Sequence, residues 1–154
     1  MAQSWAPHRS INTVTKLLVG LGSACETFLD DKLMNFPSTR IECDEIWAFC
    51  YSKERNVPAK RKNEVGMGDV WTWVALDPDT KLVATWLVGE RDALSCNAFI
   101  KDLASRLRNR VSLTTDGYAG YPDAVERTFG EGIDYAQGGQ PSRSDQRLTS
   151  DALS

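Results

Sequence analysis

Residues 41–50 read IECDEIWAFC, a run of β-branched and aromatic residues that is typical of a β-strand. Pro37 precedes this run, and a charged loop containing Pro58 follows it. Asp44 interrupts the apolar stretch, and an unpaired carboxylate buried in a strand would be energetically costly. We therefore expect Asp44 to have a compensating partner elsewhere in the fold.

Two further strand patterns follow along the chain. Residues 70–76 (VWTWVAL) and 82–88 (LVATWLV) flank the turn sequence DPDT at 77–80. Short connections between such strands favour antiparallel pairing. These three strands are therefore expected to form a meander.

The remainder of this region alternates between helix and strand. Apolar residues recur at helical intervals in 93–107, and a short strand at 111–115 ends at Asp116. A second helix is expected at 122–129 and a fifth strand at 133–136. The order of three strands, helix, strand, helix and strand predicts a mixed α/β sheet.

The amino-terminal region has a helical pattern of its own. Ser10 is a candidate N-cap, and the following apolar residues lie on one helical face: Ile11, Val14, Leu17, Leu18 and Leu21. The opposite face carries Asn12, Thr13 and Lys16, which are able to reach base edges or phosphates. Most helices with such a face are simply solvated, so the pattern alone favours DNA contact only weakly.

These patterns predict three segments. Residues 1–36 form a helical region, residues 37–137 form the α/β core, and residues 138–154 (GGQPSRSDQRLTSDALS) form a polar tail that we expect to be disordered. With 42% hydrophobic and 25% charged residues, the composition is that of a globular domain. The longest apolar run is too short to cross a membrane and no signal-peptide pattern is visible, so a cytoplasmic location is expected.

Charge and cysteine content bear on two kinds of function, nucleic-acid binding and zinc binding. The net charge of −3 and the pI of about 5.2 do not indicate nucleic-acid binding, although two local stretches are basic, at 53–62 (KERNVPAKRK) and 101–110 (KDLASRLRNR). The four cysteines form no CxxC pair and the sole histidine is His8, which argues against a zinc site. We expect reduced, mostly buried thiols.

Asp44 and Asp116 are the candidate chemical site. A right-handed crossover can lay the strand that ends at Asp116 parallel to the strand that holds Asp44, which would bring the two carboxylates together. Carboxylate oxygens without histidine or thiolate favour magnesium or manganese, and two such ions about 4 Å apart can promote phosphodiester cleavage. The alternative is that both aspartates merely cap turns, since TDG is a common turn sequence.

Three long motifs carry a family resemblance: CDEIWAFCYSK at 43–53, GDVWTWVALDPDTKLVATWLVGERD at 68–92 and LTTDGYAGY at 113–121. The stretch from 41 to 137 resembles the insertion-sequence-one family of bacterial DDE transposases. The resemblance implies a ribonuclease-H-like fold in which Asp44 and Asp116 are the first two metal-binding catalytic acids. It also implies that water attacks the phosphodiester at an element end and that the freed 3′ hydroxyl then attacks target DNA.

The resemblance extends to the first helix and to the surrounding charged residues. RSINTVTKLLVGLG at 9–22 resembles the last helix of a helix-turn-helix, although MAQSWAPHR stands where the preceding helices are expected. The residues expected to contact DNA are Asn12, Thr13, Lys16, Lys60, Arg61 and Lys62. Glu45 is expected on the opposite face of its strand as a supporting group, and a surface ion pair is expected for the Glu90, Arg91 and Asp92 stretch.

The family pattern and this chain differ after residue 137. Relatives continue into a helix that carries a third acid, a glutamate, whereas only Asp145 and Asp151 occur in this tail. We therefore expect a truncated or frameshifted transposase that is inactive as an isolated chain. It could associate with itself or with a full-length transposase.

Three rival functions stay open from the sequence. The first is a non-enzymatic fragment that binds DNA or inhibits a complete transposase. The second is a ribonuclease-H-like nuclease that needs no element ends. The third is a plain folding domain whose aspartates cap turns, which predicts no change in melting temperature with metal.

Overall fold

The structure is a computed structural model that describes residues 10–62, 64 and 66–138. The expected tail, with Asp145 and Asp151, lies outside this range apart from Gly138, as do residues 1–9 with His8. The chain divides into two compact units between Met34 and Asn35.

The helices and strands agree in type and order with those expected from the sequence. The first unit contains helix α1 (Ile11–Lys32). The elements of the second unit are β1 (Arg40–Cys50), β2 (Gly68–Leu76), β3 (Val83–Gly89), α2 (Ala93–Arg106), β4 (Ser112–Thr115), α3 (Tyr121–Phe129) and β5 (Asp134–Gln137). Short 3-10 turns occur at Glu54–Asn56, Ala59–Arg61 and Gly130–Gly132.

The strands form one mixed sheet of order β3-β2-β1-β4-β5. β1 pairs antiparallel with β2, and β2 pairs antiparallel with β3, which confirms the expected meander. β4 lies parallel to β1 on its other side, and β5 lies parallel to β4. β1 is therefore the central strand, with β4 beside it as the crossover rule predicts.

One face of the sheet carries the core, and both α2 and α3 pack on it. Trp73 of β2 is fully buried and contacts the rings of Phe99 from α2 and Tyr121 from α3. Ile41 and Cys43 of β1 are buried on the same side, as strand alternation requires. Burial of these aromatic and aliphatic groups provides the main stabilisation of the unit.

The other face of the sheet is open among the described residues. Ile46, Trp86 and Val88 are large apolar side chains that remain exposed there. Asp44 points to this face and is exposed, so the compensating partner expected for a buried carboxylate is not required. The physical reason is that both crossover helices lie on the opposite face, so the carboxylate of Asp44 keeps its access to solvent.

The turn between β2 and β3 forms as its sequence predicts. Asp77 is buried, and its Oδ1 accepts hydrogen bonds from the backbone N–H groups of Asp79 (2.8 Å) and Thr80 (3.0 Å). Its Oδ2 accepts a bond from the Ser38 hydroxyl at 2.9 Å. These bonds, that of Thr80 foremost, lower the pKa of Asp77 below its ordinary value.

Cysteine burial is only partly as expected. Cys43 and Cys96 are buried, whereas Cys25 and Cys50 are exposed. Cys25 lies on α1, and Cys50 is the last residue of β1. Among the described residues, no helix is long and apolar enough to cross a membrane.

Candidate active site

The pairing of β1 with β4 sets the geometry of the candidate site. The parallel register ends with Cys43 opposite Thr115, so Asp44 and Asp116 occupy the next position on each strand. Neighbouring strands lie about 4.8 Å apart. The backbones of Asp44 and Asp116 are therefore close in the fold, although 71 residues separate them along the chain.

The two carboxylates nevertheless have different surroundings. Asp44 faces the open side of the sheet, and its Oδ1 accepts a hydrogen bond from the backbone N–H of Glu45 at 2.8 Å. Asp116 is half-buried, and its Oδ1 accepts a hydrogen bond from the backbone N–H of Tyr118 at 3.0 Å. The latter contact is the one that the turn-capping alternative predicts for Asp116.

Arg91 joins Asp116 to a third carboxylate, that of Glu45. The Nη2 atom of Arg91 lies 3.4 Å from Asp116 Oδ2 and 3.0 Å from Glu45 Oε2. The side chain of Glu45 is only 1% exposed, against 35% for Arg91. The surface ion pair expected near Arg91 is thus a bridge to a buried carboxylate, because Glu45 points toward the helices.

Glu45 is a buried acid of this cluster, and its pKa is shifted. Burial raises its pKa above the ordinary value, while the nearby Tyr121 hydroxyl and the hydrogen bond from Arg91 oppose the shift. The Tyr121 hydroxyl lies close enough to influence Glu45, yet neither it nor Glu45 Oε1 has a hydrogen-bond partner of regular geometry within the described chain. The cluster therefore contains a buried oxygen whose bonding capacity is unused.

Aromatic rings hold Arg91 in place. Its guanidinium lies 4.9 Å from the ring centre of Trp71 and 4.8 Å from that of Tyr118. The flanking residues also have structural roles: the Glu90 carbonyl accepts a hydrogen bond from Trp73 Nε1 at 3.1 Å, and Asp92 caps α2 through Ser95 N–H at 2.8 Å. The segment between β3 and α2 is thus anchored at both ends around Arg91.

Sequence reasoning missed the roles of Arg91, Tyr118 and Tyr121 in this cluster. A signal was present for Glu45, since it alternates with Ile41 and Cys43, both buried, on β1. No comparable signal was present for Arg91. Its contacts depend on how β3, α2 and the residues after β4 come together.

The donor types at this site suit a hard divalent cation. Magnesium is commonly held by one or two carboxylates together with water and phosphate oxygens, and Asp44 and Asp116 offer such oxygens. The unpartnered Oε1 of Glu45 is a further oxygen of the same kind, although it lies on the other side of β1 from Asp44. Among the described residues, no group of three candidate ligands is already placed to hold a metal.

A cleft of about 810 Å³ adjoins the cluster through Arg91. Its walls include Trp71, Glu90 and Met67, together with Lys62 from one of the basic stretches. The lining also contains four carboxylates, those of Glu54, Glu64, Asp69 and Glu90, so acidic groups outnumber the cations Lys62 and Arg91 in this cleft.

The residues expected to contact DNA occupy two separate places. Asn12, Thr13 and Lys16 are exposed on α1. Lys60, Arg61 and Lys62 lie in and directly after the 3-10 turn Ala59–Arg61. Lys60 and Lys62 are exposed, whereas Arg61 is bound to Glu64 at 2.9 Å and lies over the Tyr51 ring at 4.8 Å.

Comparison with known proteins identifies no family. No protein-family model matches the chain, and no curated protein sequence is significantly similar to it. The functional assignment therefore depends on the residues, the topology and the resemblance of the motifs.

Proposed function

We propose that the second unit is a ribonuclease-H-like domain of the DDE transposase type, acting on DNA by metal-dependent phosphoryl transfer. The observation that supports this most directly is the strand register. Asp44 on the central strand and Asp116 just after β4 stand at equivalent positions of two parallel neighbours. The strand order and the crossover through α2 are compatible with that fold.

In this proposal Asp44 and Asp116 hold magnesium or manganese. A bound divalent ion would supply Lewis-acid activation and charge neutralisation at the phosphodiester. The aspartates would position the reacting groups from two adjacent strands, and the bound cation would neutralise part of their negative charge. The exposure of Asp44 leaves room for a DNA phosphate to approach.

Arg91 has a supporting role in this site. Its guanidinium neutralises Glu45 and Asp116 together, which holds Asp116 beside β1. The ring contacts with Trp71 and Tyr118 restrict its movement. Arg91 therefore acts as a positioning residue for the second aspartate and contributes positive charge to the cleft.

The proposal assigns two catalytic acids, Asp44 and Asp116. The family resemblance implies a third acid, a glutamate, and among the described residues no group of three candidate ligands is placed to hold a metal. We therefore expect a polypeptide of residues 1–154 to bind metal and DNA without joining strands.

Metal binding is tested by thermal melting with and without magnesium or manganese. A binding ion stabilises the folded state in proportion to the logarithm of its concentration above Kd. Wild type should gain stability, and Asp44→Asn and Asp116→Asn should each lose most of that gain. Asp123→Asn is the matched control, because Asp123 is exposed on α3 and pairs with Arg127. Equal gains in all four proteins would refute metal binding at Asp44 and Asp116.

Strand joining is tested with labelled DNA that carries the ends of the element flanking the gene. We expect no joined product from the isolated chain in magnesium. Efficient joining would contradict the expectation that Asp44 and Asp116 are insufficient for catalysis. Cleavage of DNA or RNA that lacks these ends would favour a general nuclease.

A second candidate function is a non-enzymatic DNA-binding fragment that interferes with a complete transposase. The exposed polar face of α1 favours it, because Asn12, Thr13 and Lys16 are free to approach DNA. Fluorescence anisotropy across a salt series is the test. Lys16→Ala should reduce the slope of log affinity against log salt by about one, which corresponds to the loss of one phosphate contact. Absence of any salt-dependent binding would reject this function.

A further inference from the structure

Glu45 adjoins Asp44 in the sequence but lies on the opposite face of β1. Its side chain is 1% exposed and contacts Arg91, which in turn contacts Asp116. The proposed function assigns the metal to Asp44 and Asp116 and gives Glu45 no part in binding it. The contacts of Arg91 nevertheless connect Glu45 to that site.

The contacts of Arg91 with the two carboxylates are unequal. Its Nε and Nη2 atoms each lie 3.0 Å from Glu45 Oε2. The contact from Nη2 to Asp116 Oδ2 is 3.4 Å, which exceeds the range of about 2.7–2.9 Å that is typical of a hydrogen bond between charged groups. Arg91 is therefore held mainly by Glu45 and only weakly by Asp116.

The two oxygens of Asp116 differ in their availability to a metal. Oδ1 accepts a hydrogen bond from the backbone N–H of Tyr118 at 3.0 Å, whereas Oδ2 has the weak contact with Arg91. A closer approach of the guanidinium would occupy Oδ2 and place a positive charge beside it. Such a charge would repel a divalent cation.

We propose that Glu45 is a positioning residue of the metal site, because it holds Arg91 and thereby keeps Asp116 Oδ2 available to a divalent cation. This inference rests on the proposed function, since it assumes a metal at Asp44 and Asp116. The Glu45–Arg91 pair adds no net charge to the site, whereas Arg91 without Glu45 adds one uncompensated positive charge.

The rings around Arg91 make this role of Glu45 specific. The guanidinium lies 4.9 Å from the ring centre of Trp71 and 4.8 Å from that of Tyr118, so its movement is restricted. Loss of the Glu45 charge would therefore leave Arg91 near the site, with Asp116 as the carboxylate that it already contacts.

The first experiment measures Mn²⁺ binding to the full chain by electron paramagnetic resonance of the free ion. Glu45→Gln should weaken binding about tenfold in Kd, as expected for one uncompensated charge at an effective dielectric constant of about 20. Adding Arg91→Gln removes that charge, so the double variant should recover an affinity within about threefold of wild type. Glu45→Asp keeps the charge and should weaken binding less than Glu45→Gln.

Asp102→Asn is the matched control. It removes one carboxylate that pairs with an arginine, Arg106 at 2.7 Å, and changes the net charge of the chain equally. Its binding should equal that of wild type. Circular dichroism and thermal melting without metal check that each variant is folded.

The double variant separates positioning from other roles of Glu45. If Glu45 bound the metal directly or served only the stability of the fold, the double variant would bind as weakly as Glu45→Gln. That result would overturn the proposal, as would unchanged binding by Glu45→Gln or equal weakening by Asp102→Asn, and each would leave the metal site itself intact. Absence of Mn²⁺ binding by wild type would overturn both the metal site and the role of Glu45.

The second experiment follows Arg91 by ¹⁵N nuclear magnetic resonance, with Arg91→Gln assigning its Nε–H signal. In wild type this proton should exchange slowly with water, because Nε donates to a carboxylate in a buried side chain. Glu45→Gln should accelerate the exchange, and Mg²⁺ should leave it slow in wild type. Fast exchange in metal-free wild type, or acceleration by Mg²⁺, would show that Glu45 does not hold Arg91 and would contradict the proposal.

Discussion

Removal of the Arg91 side chain gives the sharpest test of the buried carboxylate cluster. Arg91→Ala leaves Glu45 with its carboxylate almost fully buried and without a countercharge. Loss of one partner of a buried ion pair costs about 3–5 kcal/mol. Because 35% of the Arg91 side chain is exposed, solvent screening reduces the expected loss of stability to about 2 kcal/mol. Loss of the ring contacts to Trp71 and Tyr118 adds about 0.5–1 kcal/mol.

Urea unfolding at neutral pH measures this loss. The control is Arg40→Ala, which removes a 2.9 Å ion pair with Asp79 in which both side chains are more than half exposed. That exposed pair should contribute less than about 1 kcal/mol. Adding Glu45→Gln to Arg91→Ala should restore about 1 kcal/mol or more, because the double variant no longer buries an unpaired charge.

The pH dependence provides an independent check of the same cluster. The folded-state pKa of Glu45 is raised, mainly by burial, so its protonated form favours the folded state. This contribution is fully present below the ordinary pKa of 4.5 and is lost as the pH rises through the raised pKa. Without Arg91 the pKa of Glu45 rises further. The loss of unfolding free energy caused by Arg91→Ala should therefore shrink as the pH falls toward 4.5. A deficit that matches Arg40→Ala, or that stays constant with pH, would refute the buried-charge explanation.

Two further predictions concern the core and the thiols. Trp73→Ala should destabilise the second unit by about 3–5 kcal/mol in urea unfolding, because Trp73 is fully buried between aromatic rings from α2 and α3, and a cost below about 1 kcal/mol would contradict this packing. Alkylation of the native protein at mildly alkaline pH, followed by mass spectrometry, should modify the exposed Cys25 and Cys50 but spare Cys43 and Cys96. Burial protects the latter two and raises both pKa values, that of Cys96 to about 12, so rapid modification of either would contradict the assigned core.

The secondary structure could be predicted from the sequence because its signals are local. The apolar repeats of α1 and α2, the β-branched runs of β1, β2 and β3, and the DPDT turn each depend on neighbouring residues. The parallel placement of β4 beside β1 was also predictable, because a right-handed crossover through one helix leaves few alternatives. The position of Asp44 beside Asp116 in the register follows from that same rule.

The surroundings of the candidate site could not be predicted in the same way. Alternation along β1 places Glu45 on the face of Ile41 and Cys43, but it does not say which groups will surround its carboxylate. Those groups are brought to β1 by the packing of α2 and α3 on Trp73.

The sequence by itself determined the elements, their order and the two aspartates at matching positions. The tertiary structure decided that Glu45 is the buried acid and that Arg91 connects it to Asp116. The physical reason is the sequence separation of the interacting residues. Strand and helix patterns arise within a few residues, whereas burial and charge pairing depend on groups that only the folded chain brings together.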